Sequence, residues 1–307
     1  MDVREWALIA FTILSQMAVG TFIVLGVVHF FAARKWGEAE ADRLSDRALL
    51  AIGPVLVLGT LASLFHLGNP ANAYRAIANL GSSWLSREIL ANLLFIGLGA
   101  VFAFMQWRKI GTPAARNLIA WAAALVGLVL VFSMAQIYML RTAPAWDTVA
   151  TPITFFTTTF LLGVMAVGAA YVVTYNYVRR AEPDCGETPC DILRAALRWL
   201  ALAAVVLVGV HLVVLPLYVA YLASSDTPAA AEAVSILVDD YSAAFILRLV
   251  LVFLGAGILA VFIYRTASVP GHEALLGNLA LTAFAVVLVG EVIGRFLFYA
   301  MQTNVGL

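Results

Sequence analysis

A histidine and a carboxylate stand at either end of the stretch FHLGNPANAYRAIANLGSSWLSREIL. His66 comes where a long apolar segment ends, and Glu88 comes where the next one begins. Gly68 and Pro70 favour the end of a helix just after His66. Because Glu88 begins the next apolar segment, His66 and Glu88 are predicted at the same membrane depth. The pair suits a lipid-soluble substrate that exchanges protons with water, because one group can hydrogen-bond a ring oxygen while the other accepts the proton. Quinols are the leading example of such a substrate.

The segment between the two groups is too apolar for a free loop. We therefore predict that a quinol site also includes the polar and aromatic side chains of this stretch: Tyr74, Arg75, Trp84 and Arg87. The alternative for Glu88 is a capping acid in the first turn of the next helix, where the helix dipole favours a negative charge.

A second group of ionisable residues lies in GEVIGRFLFY, near the end of the chain. Glu291 and Arg295 are spaced to pair on one helix face, which would make the burial of both tolerable. Arg248 is predicted at a comparable depth in the preceding segment. We expect structural ion pairs that tie the last two apolar segments together, with a proton or ligand path as the alternative. Interhelical hydrogen bonds are expected for three other polar residues: Gln16, Gln136 and Tyr138.

Haem and metal sites are not expected. A bis-histidine haem needs two histidines at matching depth on facing helices, and no pair of this kind is found among His29, His66, His211 and His272. Cys185 and Cys190, in EPDCGETPC, could form a strained disulfide, hold half of a metal site, or do neither. We expect neither, because the link is predicted in the cytoplasm, where thiols stay reduced, and no further cysteine exists to complete a four-thiolate site.

These groups must be positioned by membrane-spanning helices. Of 307 residues, 63% are hydrophobic and only 12% are charged, about half the charged fraction of a soluble domain. The formal net charge of zero gives no electrostatic case for nucleic-acid binding. We predict an all-α integral membrane protein with eight transmembrane helices, because ~20 apolar residues cross a bilayer.

The eight helices are predicted to form one polytopic domain, 1–307, with two four-helix bundles as the expected grouping. Their predicted ranges are 6–33, 48–67, 89–106, 117–140, 149–178, 195–223, 242–264 and 274–301. Most of the 18 lysines and arginines fall in the links after the first, third, fifth and seventh helices. Positively charged links stay cytoplasmic, so both termini are predicted outside (periplasmic) in the cytoplasmic (inner) membrane.

At these residues the chain resembles the DmsC family, the membrane-anchor subunits of dimethyl sulfoxide reductase complexes. The resemblance is carried by EWALIAFTILSQMAVGTFIV, HLGNPANAYRAIANLGSSWLSREI and GEVIGRFLFY, and it covers essentially the whole chain. The related NrfD/polysulfide-reductase anchors are the nearest alternative. A secondary transporter is less favoured, because transporter sites lie near the midplane whereas most polar groups here are predicted in the outer half.

The resemblance implies a haem-free subunit that oxidises menaquinol near the outer face during anaerobic respiration. It would pass electrons to an iron–sulfur subunit, which feeds a molybdopterin catalytic subunit, with both partners on the outer face. By motif, the family's quinol-site histidine and glutamate fall on His66 and Glu88. The protein would thus carry a quinol oxidation site but not the catalytic centre of the complex.

Overall fold

The computed structural model describes residues 3–64, 79–181, 188–269 and 271–305. Those ranges contain no strand, and their α-helices are α1 (Val3–Trp36), α2 (Glu38–Leu64), α3 (Trp84–Arg108), α4 (Pro113–Tyr138), α5 (Ala150–Ala181), α6 (Thr188–Ala223), α7 (Pro228–Ser235), α8 (Ser242–Val252), α9 (Ala260–Thr266) and α10 (Glu273–Ala300). Eight helices in the described ranges are long and apolar enough to span a membrane. The all-α prediction with eight transmembrane helices is confirmed.

The helices extend beyond the apolar segments that predicted them. α2 begins at Glu38, although the sequence placed the start of the second helix at 48. Hydropathy marks only the part of a helix that lies in lipid, whereas the charged first turns of α2 are rich in residues that favour helix in water. Only Gly37 separates α1 from α2, and its φ of 92° favours a residue without a side chain.

The region between the sixth and eighth spans contains three features that the sequence analysis did not predict. The short helix α7 is followed by a π-helical segment, Ile236–Asp240. A second π-helical segment, Phe253–Leu259, joins α8 to α9 within the seventh span, Ser242–Thr266. α7 packs against α6 and buries three of its alanines, and Thr303 donates a 2.7 Å hydrogen bond to the carbonyl of Ala229.

Helix α5 occupies the centre of the structure. It packs against α1, α6 and α10, while α3 packs mainly on α4. The closest approach of α1 and α5 is at Gly20 and Gly163, where a Cβ atom on either glycine would overlap the backbone of the other helix. The contact between α1 and α5 joins the first four spans to the last four. The grouping into two four-helix bundles stays a prediction.

We call the end of the molecule where α1, α3 and α9 finish the basic face. The ammonium of Lys109 there lies 2.7 Å from Asp42 Oδ2 and 2.8 Å from Asp46 Oδ2, which ties α3 to α2. Gln106 also donates to both carboxylates, at 2.9 Å. Burial opposes the positive charge of Lys109, but the hydrogen bonds to the two carboxylates and their negative charges outweigh it and raise its pKa above the ordinary value.

Candidate functional site

Glu88 lies on α3, at the end of the molecule opposite the basic face. α3 begins at Trp84, and its N-cap is Ser83, whose side chain accepts a hydrogen bond from the amide of Ser86. The first turn of α3 therefore contains no acid, and the alternative interpretation of Glu88 as a first-turn capping residue is wrong. The helix starts earlier than the sequence predicted, which places Glu88 past the turn where the dipole acts.

The carboxyl group of Glu88 is buried, with the residue only 6% exposed. Across the described ranges, no side chain or backbone amide donates a hydrogen bond to it. Tyr138 and Tyr299 are its electrostatic neighbours. Burial of a carboxyl group is costly, and an ionisable group within a membrane helix indicates a functional role.

Two other predicted site residues, Trp84 and Arg87, lie at the start of α3. The guanidinium of Arg87 donates to the carbonyls of Leu80 at 2.8 Å and Gly81 at 2.7 Å, and it lies 4.2 Å above the Trp84 ring. Arg87 thus fastens the segment before α3 and forms no salt bridge with Glu88. Three members of the predicted site lie outside the described residues: His66, Tyr74 and Arg75.

A pair of tyrosines interacts electrostatically with Glu88. The hydroxyls of Tyr138 on α4 and Tyr299 on α10 share a 2.7 Å hydrogen bond. The Tyr138 ring packs at 5.3 Å from both Trp146 and Phe298. The prediction of an interhelical hydrogen bond for Tyr138 is confirmed, but its partner was missed, because residues so far apart in sequence leave no local pattern.

The cluster on α10 has contacts that the spacing of its residues did not predict. Glu291 accepts a 2.6 Å hydrogen bond from Thr158, and its other oxygen lies 3.4 Å from Nε2 of His211. Arg295 donates to Gln16 at 2.9 Å, which confirms an interhelical hydrogen bond for Gln16. These contacts differ from the predicted Glu291–Arg295 pair, because each side chain reaches a neighbouring helix instead.

Gln136 also departs from expectation. Its amide contacts the sulfur of Met139, at the end of its own helix, at 3.3 Å, so the prediction of an interhelical bond is wrong for this residue. Cys190 lies with its sulfur 2.8 Å from the Tyr175 hydroxyl, and Cys185 lies outside the described residues.

Arg248 packs against Gly294 on α10, where a Cβ atom would overlap its guanidinium. Beside it is a cavity of about 60 Å³ between α5, α6, α8 and α10, lined by Arg248, Glu291, Arg295 and Tyr218 among others. A cavity of this size and polarity can hold water. The role of this cluster as structural ion pairs stays a prediction.

The two clusters adjoin one another. Arg295 is an electrostatic neighbour of Tyr138 and Tyr299, as Glu88 is. Its guanidinium carbon also lies 3.8 Å from the centroid of the Phe155 ring. Buried polar groups from α1, α3, α4 and α10 thus converge at the end opposite the basic face. Such an arrangement can hydrogen-bond a small polar ring and accept a proton from it.

Metal binding finds no support among the residues with described positions, since no three His, Cys, Asp or Glu side chains there could hold an ion together. The sequence prediction that the protein binds no metal stays a prediction.

Comparison with solved structures shows the fold. The structure of bd oxidase from Geobacillus thermodenitrificans superposes with a TM-score of 0.62 at 12% sequence identity, covering 97% of this chain and 85% of that one.

Sequence comparison shows the family. Anaerobic dimethyl sulfoxide reductase chain YnfH of Escherichia coli (strain K12) is 30% identical over 304 residues, covering 99% of this chain and 97% of the relative. A second anaerobic dimethyl sulfoxide reductase subunit of the same strain is 29% identical over 309 residues, covering 99% of this protein and 97% of the relative. The sequence profile of the DMSO reductase anchor subunit family (DmsC) matches residues 1–301. The protein therefore belongs to the family of DMSO reductase anchor subunits.

Proposed function

We propose that this anchor subunit binds menaquinol near the outer membrane face, oxidises it, and passes the electrons to an iron–sulfur subunit of a molybdopterin oxidoreductase. The observation that carries the proposal is the buried Glu88 carboxyl group, which no described residue hydrogen-bonds and which interacts electrostatically with the hydrogen-bonded pair Tyr138 and Tyr299. The two relatives named as anaerobic dimethyl sulfoxide reductase subunits support this setting.

Each residue has a distinct task in the proposed reaction. Oxidation of a quinol releases two electrons and two protons and leaves the quinone. Glu88 accepts the proton of one ring hydroxyl and passes it outward, while the second hydroxyl, hydrogen-bonded by His66, releases its proton to the water outside. The tyrosine hydroxyls orient the ring, and Trp84, Arg87, Tyr74 and Arg75 enclose the entrance.

We propose that the protein holds no haem, so the electrons pass directly from the quinol to the iron–sulfur subunit. This proposal follows from the sequence positions of the four histidines, which offer no matched pair.

The proposed orientation follows from the charge distribution. The protein lies in the inner membrane with its basic face toward the cytoplasm. Both termini and the two partner subunits lie on the outside. Protons and electrons then leave the quinol toward the same side, so this step moves no net charge across the bilayer. A voltage-sensitive dye in proteoliposomes should remain silent during turnover. A sustained potential that an ionophore collapses would contradict the outer-site reaction.

The decisive experiment separates quinol oxidation from the later electron transfers. In the assembled complex, Glu88→Gln and His66→Ala should each abolish turnover with a menaquinol analogue. Turnover with a reduced viologen dye, which donates to the partner subunits directly, should persist. Glu232→Gln, an exposed acid at the same end of the molecule, is the matched control and should behave as wild type. Normal quinol oxidation by assembled Glu88→Gln would remove Glu88 from the mechanism.

A further inference from the structure

A cleft on the basic face carries an excess of positive charge. It has a volume of about 340 Å³ and lies between the end of α1, the first turns of α6 and the residues after α9. Its charged lining consists of Lys35, Arg194, Arg198 and Asp191. Three cations and one acid leave a net charge of +2, so the cleft suits an anion. We call it the basic cleft.

The cations of the basic cleft are held in different ways. Arg194 is bound to Asp191 at 2.6 Å, which fixes its position and cancels one charge. Lys35 lies 4.4 Å above the Trp36 ring. Arg198 lies 5.2 Å from the centroid of the Tyr264 ring and forms no salt bridge with any described acid. Lys35 and Arg198 therefore keep charge available for a ligand.

The surroundings of the cleft favour a lipid. The helices that border it expose large apolar side chains: Phe31 of α1 is 64% exposed, Trp199 of α6 is 71% exposed and Phe262 of α9 is 53% exposed. Phe31 precedes Lys35 by about one helical turn, and Trp199 directly follows Arg198. A ligand with an acidic head and apolar tails would satisfy both parts of this surface, whereas a free phosphate would satisfy only the cations.

We infer that the basic cleft binds the phosphate head group of an anionic phospholipid. Basic pockets between membrane helices on the cytoplasmic side recognise such head groups. The net charge of +2 matches a lipid with two phosphates, such as cardiolipin, better than one with a single phosphate. Binding of the phospholipid in the basic cleft would hold α1 against α6. This lipid binding does not depend on the quinol reaction.

The test compares lipids and variants in the purified complex. Native mass spectrometry and thermal unfolding are measured with added cardiolipin, phosphatidylglycerol, phosphatidylcholine or inorganic phosphate. Cardiolipin should raise Tm most, phosphatidylglycerol should raise it less, and the other two should leave it unchanged. The double variant Lys35→Gln/Arg198→Gln should bind cardiolipin about tenfold more weakly or worse, because two cations near the lipid are lost.

Two controls keep the test specific. Arg47→Gln/Arg108→Gln removes the same charge from the same face outside the cleft and should keep the lipid effect. Lys35→Arg/Arg198→Lys preserves the charge and should also keep it. An unchanged cardiolipin effect in the Lys35→Gln/Arg198→Gln variant would overturn the inference. An equal effect of phosphatidylcholine, or of inorganic phosphate alone, would overturn it as well.

Discussion

The hydroxyl of Tyr138 and the hydroxyl of Tyr299 share one hydrogen bond of 2.7 Å, which joins α4 to α10. The two side chains come from opposite halves of the sequence, and both interact electrostatically with Glu88 and Arg295. The pair therefore connects the carboxyl group on α3 with the buried arginine on α10, at the point where the proposed quinol ring would bind.

The tyrosine pair gives the first prediction. Tyr138→Phe and Tyr299→Phe each remove one hydroxyl from a bond worth about 0.5–1.5 kcal/mol. If that energy orients the substrate, quinol-dependent turnover should fall by about two- to tenfold. Because the two residues share a single bond, the double variant should be little worse than either single one. Tyr221→Phe, an exposed tyrosine at the same end, should have no effect. Additive losses in the double variant would show that the hydroxyls act separately.

Glu291 gives a prediction about assembly. Its carboxylate is 2% exposed and contacts Thr158 and His211. Removing one member of a buried charged group can cost about 3–5 kcal/mol, so Glu291→Ala should lower the amount of folded complex recovered from membranes. The exposed Glu232→Ala variant is the control. If Glu291→Ala assembles fully but loses quinol turnover, the cluster takes part in the reaction and is not merely structural.

The crossing of α1 and α5 gives a third prediction. A methyl group at Gly20 would overlap the backbone at Thr159, so Gly20→Ala should lower the free energy of unfolding by about 1–3 kcal/mol, as overpacking does. Gly26, further along the same helix, has open space around it. Gly26→Ala should be neutral or stabilising, because alanine favours helix more than glycine does. Thermal unfolding of the purified complex measures both, and equal Tm values would contradict the close crossing.

Membrane orientation is the fourth prediction. In a Cys185→Ser/Cys190→Ser background, a membrane-impermeant thiol reagent added to intact cells should label Val305→Cys and Asn72→Cys but not Glu38→Cys. Val305 and Glu38 are both exposed, at opposite ends of the molecule, so accessibility alone cannot explain a difference. Labelling of Glu38→Cys without labelling of Val305→Cys would show that the orientation is the opposite of the one proposed.

Hydropathy was sufficient to predict the eight spans, because lipid requires long apolar helices. It could not predict α7 or the π-helical segments, since these depend on how the backbone packs against α6 and α10. The place of Glu88 at the start of the third span was predicted from the sequence, but its burial and its tyrosine neighbours were not. The partners of Glu291 were also missed, because the choice between Arg295 on its own helix and His211 on α6 depends on side-chain directions that spacing does not reveal.

The one-residue link at Gly37 has a consequence for biosynthesis. With no loop between them, α1 and α2 form a closed hairpin as soon as both have been synthesised. In the proposed orientation, the two helices then enter the bilayer together, and the charged residues around Gly37 remain on the side where the ribosome sits. In the proposed orientation, this first event determines the side on which every later helix of the protein emerges.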